Sequence, residues 1–116
     1  MPSALKPFYR VELNQAINAS AQHFYLQCWH YLERAHILGQ PYPLEHSYVH
    51  WQMLLFAVRI KNVKEIVGQI PRLLFGGVKS FVGKIPVGNT GSANVSPLQP
   101  MEIPEDLKQI IKITAS

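Results

Sequence analysis

Cysteine is nearly missing from this chain: Cys28 is the single thiol in 116 residues. That excludes an internal disulfide framework and points to a reducing compartment. Charge is also sparse, at 16% of residues against the usual quarter of a globular domain. Little solvated surface is left to spare, which points to a homo-oligomer or a protein partner. The excess of 11 basic over 7 acidic residues gives a net charge of +4, but the cations are spread along the whole chain. With no basic run interleaved with aromatics, no nucleic acid is expected as a partner. Long hydrophobic runs are missing too. The most apolar, MLLFAV at 53–58, falls far short of the ~20 residues that span a bilayer. The start, MPSALKPFYRVEL, has no continuous apolar stretch of the signal-peptide kind. The expectation is a soluble cytoplasmic protein without a membrane partner, forming one domain over residues 1–116.

What the chain does have is concentrated in residues 33–51, ERAHILGQPYPLEHSYVHW. A Glu-x-x-His pair (Glu33, His36) precedes a turn rich in proline, and a His-x-x-x-His pair (His46, His50) follows it. On helices, spacings of three and four put both members of a pair on one face. Two such pairs joined by a short turn can face each other across a helical hairpin, which is the geometry of a metal site between helices.

The apolar periodicity predicts an all-α fold. A first helix is expected over about 3–19 with Ser3 as its cap, and Glu12 falls inside its apolar arc. A second is expected over about 21–38 and ends at Gly39, a good residue for a left-handed stop. Its narrow polar strip contains His23, Gln27, His30 and Arg34, while Glu33 and His36 turn inward. Pro41 and Pro43 separate it from a third helix over about 45–61, whose His46 and His50 lie on the core side, opposite Gln52 and Arg59. Asn62 and Glu65 read as a cap and its partner for a fourth helix. Pro71 should kink or divide that helix, and Gly76-Gly77 should end it, with a further short piece at 78–82. Trp29, Trp51, Tyr25 and Phe24 read as core.

From residue 84 onward prolines and glycines describe an extended arm. It is apolar enough to wrap the helical core of residues 3–83, and a short last helix opens at Pro104-Glu105-Asp106. The expected architecture is thus two antiparallel helical hairpins, four helices of tetratricopeptide-like form, with this arm and terminal helix.

The candidate metal ligands are Glu33, His36, His46 and His50, with Glu12 as a further one. Buried ionisable groups are expensive unless paired or bound, and one divalent cation satisfies all of them. Nitrogen and oxygen donors suit zinc, iron, nickel, copper or manganese. The competing reading is a satisfied polar cluster in which His36 bonds Glu12 and the rest is packing. In that case the protein is an interaction module with structural histidines. The Gly88-Asn89-Thr90-Gly91 turn is read as a tight turn requiring glycine angles, with Asn89 and Thr90 as groups that can close over the site or form an anion nest. No Gly-Lys-Ser/Thr follows it, so it is not a Walker loop. Cys28 reads as a buried structural thiol.

Four stretches carry a resemblance: LERAHILGQ at 32–40, H-x-x-x-HW-x-ML at 46–54, P-x-GNTG-x-x-x-VS at 86–96 and PM-x-IPEDL at 100–107. In this order they resemble the bacterial domain-of-unknown-function family 3703. The resemblance implies a small helical bacterial protein and carries no activity.

Overall fold

The computed structural model describes residues 1–82 and 102–115, with the side chains of 73–82 left aside. Five helices lie among the described residues: α1 (Lys6–Ala21), α2 (Tyr25–Gly39), α3 (Pro43–Arg59), α4 (Val63–Val82) and α5 (Glu105–Thr114). The all-α expectation holds. α1 packs on α2 and α3 on α4 as two hairpins, α2 packs on α3 between them, and α5 returns to α2. The expected arm, with Asn89 and Thr90, falls at 83–101, outside the described residues.

Several boundaries differ from expectation. Ser3 is not a cap: Leu5 stands at that position without a side-chain bond. α1 runs on to Ala21, because the corner that ends it carries neither glycine nor proline. His23 takes the left-handed conformation at φ 63°. The Phe24 amide donates to Ala19 O at 2.8 Å and the His23 amide to Ser20 O at 3.1 Å, the bonding of a Schellman stop. The α3–α4 corner repeats it. Lys61 sits at φ 58°, Asn62 donates to Ala57 O at 2.9 Å and Lys61 to Val58 O at 3.1 Å. Asn62 also accepts from the Glu65 amide at 3.2 Å, as its cap role requires. α4 continues through Pro71 and Gly76-Gly77 to Val82. A mid-helix proline removes a single backbone bond, a loss of ~3 kcal/mol that the helix sustains.

Gly39 does not supply a left-handed stop either. It closes α2, and Gln40 beyond it is right-handed. Its role is close approach. A Cβ there would stand 3.1 Å from Tyr9 Cε2 and 3.3 Å from Glu45 Cβ. Tyr9 cannot swing clear, since it is buried and its hydroxyl donates to Glu45 O at 2.9 Å.

The core joins Leu5, Tyr9 and Ala16 of α1 to Leu32, Ala35 and Leu38 of α2, Val49 and Met53 of α3, and Leu107 of α5. Trp29 stacks on Phe56 with ring centroids 5.9 Å apart. Trp51, Tyr25 and Phe24 are exposed instead of core. Trp51 follows His50 directly, and a helix that turns His50 inward swings its neighbour about 100° away.

Arg34, on the polar strip of α2, is a three-helix tie. Its Nε donates to Glu12 Oε1 of α1 at 3.0 Å. Its Nη1 and Nη2 donate to the two Asp106 oxygens of α5. Hydrogen bonds from Arg34 hold Asp106 below its usual carboxylate range. Glu12 is 7% exposed, so removal of its cation leaves a stranded buried charge. Arg34→Ala is expected to lower unfolding free energy by about 3 kcal/mol in urea titrations, while Glu12→Gln with Arg34→Met loses much less. Gly39→Ala gains about 1 kcal/mol of helix propensity but overpacks the Tyr9–Glu45 contact. A net loss of roughly 1 kcal/mol is expected from thermal melts.

Candidate metal centre

α2 and α3 meet over the short connection 40–42, and Pro43 opens α3 at its first turn. That geometry lays the inward face of α2 near its end against the inward face of α3 near its start. His36 projects from the first, His46 and His50 from the second, and all three are buried. Their Nε2 atoms form a nearly equilateral triangle. His36 to His46 is 3.0 Å, His36 to His50 is 3.1 Å and His46 to His50 is 3.1 Å. The ring centroids stand 4.7–4.8 Å apart, with the rings tilted or edge-on to one another.

Such a triangle cannot be satisfied by its own hydrogen bonds. Each ring nitrogen brings either an N–H or a lone pair to the centre. Among three groups of two kinds, at least two are alike, so one edge always sets lone pair against lone pair or N–H against N–H. A cation removes the conflict, because all three lone pairs can point at it. With edges of 3.0–3.1 Å the triangle's centre lies about 1.8 Å from each nitrogen, just inside a ~2.0–2.1 Å metal–imidazole bond. An ion held by all three would sit slightly to one side of the plane of the nitrogens.

The tautomer of His50 is set from α4. His50 Nδ1 lies 2.7 Å from Gln69 Oε1, and Gln69 Nε2 donates to Glu65 Oε2 at 3.2 Å. A flipped amide would set its carbonyl against the carboxylate, so Oε1 faces the ring and Nδ1 carries the proton. Nε2 of His50 then presents its lone pair to the triangle. A ring N–H held by a fixed acceptor is the usual support of a metal-ligating histidine. Gln69 is fully buried and Glu65 nearly so. Burial lowers the pKa of Arg72, one turn further along α4, and the charge of Glu65 opposes that shift. Sequence reasoning missed Gln69 and saw Glu65 only as a cap partner. The signal was there in the 4-3 spacing of Glu65, Gln69 and Arg72, a polar stripe on an otherwise apolar helix.

Of the carboxylates expected beside the histidines, neither joins the converging group, which among the described residues is His36, His46 and His50. Glu33 is half-buried on α2. Glu12 engages Arg34 through Oε1, and its buried Oε2 has no hydrogen-bond partner among the described residues. Cys28 is buried away from the triangle, and burial pushes its thiol up to about 11, which suits an inert structural group.

The family model described as "Protein of unknown function (DUF3703)" matches residues 3–111. The chain belongs to this family. No curated protein and no solved structure matches it. No helix among the described residues is long and apolar enough to cross a membrane.

Gln69→Leu removes the acceptor of one buried N–H and a donor to one buried carboxylate. The expected loss is roughly 1–3 kcal/mol of stability, read by urea unfolding followed by far-UV circular dichroism.

Proposed function

We propose that the protein binds one divalent transition-metal ion between α2 and α3 through Nε2 of His36, His46 and His50, and serves in metal handling or sensing in the bacterial cytoplasm. The observation that carries this reading is the convergence of three buried imidazole nitrogens, whose lone pairs one cation can meet together. Imidazole donors favour zinc, copper, nickel and iron, while manganese prefers oxygen. Three protein ligands leave a position for water or an exogenous ligand, a more open arrangement than a four-ligand structural site. Glu33 and Glu12 enter as groups near the ligand helices that set local charge, with Glu12 committed first to Arg34. The proposal is one of binding; no reaction is assigned.

A second reading has its own support. The matching left-handed corners at His23 and Lys61 give the chain two like hairpins, the form of a tetratricopeptide-like interaction module with structural histidines. The metal content decides between the two.

Elemental analysis of protein purified without a histidine tag is expected to find about one transition-metal ion per chain. His46→Ala/His50→Ala should lose it while keeping the helical circular dichroism. Gln69→Leu should weaken the metal affinity by roughly 10–100-fold, measured by competition with a chelator. If no metal binds after reconstitution with zinc, iron, nickel, copper or manganese, the metal reading falls and the interaction module stands.

A further inference from the structure

The outer face of α3 carries an apolar stripe that the described residues leave uncovered. Leu44, Tyr48, Trp51, Leu55 and Val58 follow one another at intervals of four, three, four and three, and each is 44–82% exposed. That alternation is the 3.5-residue period of a seam made to pack against another helix. Leu44, Tyr48 and Leu55 of the stripe also form one wall of a trough whose other wall is α1. A cavity of about 280 Å³ is lined by Leu13 and Ile17 of α1 and by Tyr48 and Leu55 of α3. A second of about 510 Å³ shares Leu13, Ile17 and Tyr48 and extends to Leu44. The floor lies towards α2, through Leu32 and Cys28. The trough thus runs along α3, open to solvent, with the shape and lining that receive an apolar helix.

We propose that the occupant is α3 of a second copy of this chain, packed antiparallel across a two-fold axis. A symmetric interface requires a surface that complements itself, and the stripe does. Glu45 flanks it at one end and Arg59 at the other. Antiparallel packing with Tyr48 against the partner's Val58, and Trp51 against the partner's Leu55, brings each Glu45 towards the partner's Arg59. It also opposes the two helix dipoles. Parallel packing would set the two Glu45 side chains at one end and the two Arg59 side chains at the other. Glu45 Oε1 is only loosely engaged within its own chain, 3.9 Å from the amino terminus. The exposed parts of the five stripe residues and Ile17 amount to on the order of 600 Å² per copy, or on the order of 1,200 Å² for the pair. That is at the lower edge of specific interfaces and more than isolated surface hydrophobes provide. The two α1 and two α3 helices then form a four-helix layer at the axis, and His46 and His50 stay on the opposite face of α3.

Light scattering coupled to size exclusion, on the full chain at tens of micromolar, is expected to give twice the 13.2 kDa chain mass. Trp51→Lys and Leu55→Glu should each give monomers with unchanged circular dichroism. Leu26→Glu, at an exposed position of α2 off the stripe, should stay dimeric. Glu45→Arg and Arg59→Glu should each weaken dimerisation about tenfold, and the double reversal should restore it. If the stripe variants fail to fold, the wild-type mass and the charge reversals still decide. A monomeric wild type overturns the proposal and leaves the stripe to another protein or another part of the chain. So does a dimer that survives both stripe substitutions, or a single charge reversal that tightens it. None of these outcomes depends on whether a metal is bound.

Discussion

Three imidazole nitrogens within 3.0–3.1 Å of one another form a contact that desolvates three polar groups and lets at most two edges of the triangle be favourable. α2 and α3 have to cross closely just where the chain turns, and much of the local sequence serves that crossing. Gly39 lets Tyr9 and Glu45 close over the end of α2. Pro43 starts α3 at once after a connection of three residues. α4 reaches behind His50 with Gln69, itself held by Glu65, so the ring orientation is fixed from outside the pair of ligand helices. Arg34 ties α1 and α5 to the back of α2. The polar centre and the helix geometry are therefore one problem, solved by the same few residues.

Much of this was legible in the sequence, and the limits have physical causes. The inward placement of His36, His46 and His50 followed from helical spacing and the two prolines between the pairs. Glu12 was correctly placed in the apolar arc of α1 but given the wrong first partner. A carboxylate there asks for a cation, and a helical wheel cannot show that α5 comes back to Arg34 on the polar strip of α2. The corners at His23 and Lys61 were invisible for a simpler reason. Each adopts a left-handed backbone that sequence rules assign to glycine or asparagine. Pro71 is expected to kink or divide its helix, and α4 is not divided there. The exposed aromatics misled in the opposite direction, since Trp51 was read as core.

α3 is apolar on two sides, and the two sides have different tasks. Val49, Met53 and Ala57 are buried with the two histidines, while the stripe from Leu44 to Val58 faces out. A helix that were only a scaffold for ligands would keep charge on its outer face.

The two left-handed corners lie 38 positions apart, at 23 and 61, with the same hydrogen-bond pattern in each. They give the chain two helix–corner–helix hairpins laid end to end. The triangle belongs to neither unit. His36 comes from the end of the first, His46 and His50 from the start of the second, and Gln69 from further along the second. Neither hairpin alone supplies the three converging nitrogens, which lie in the seam between the two.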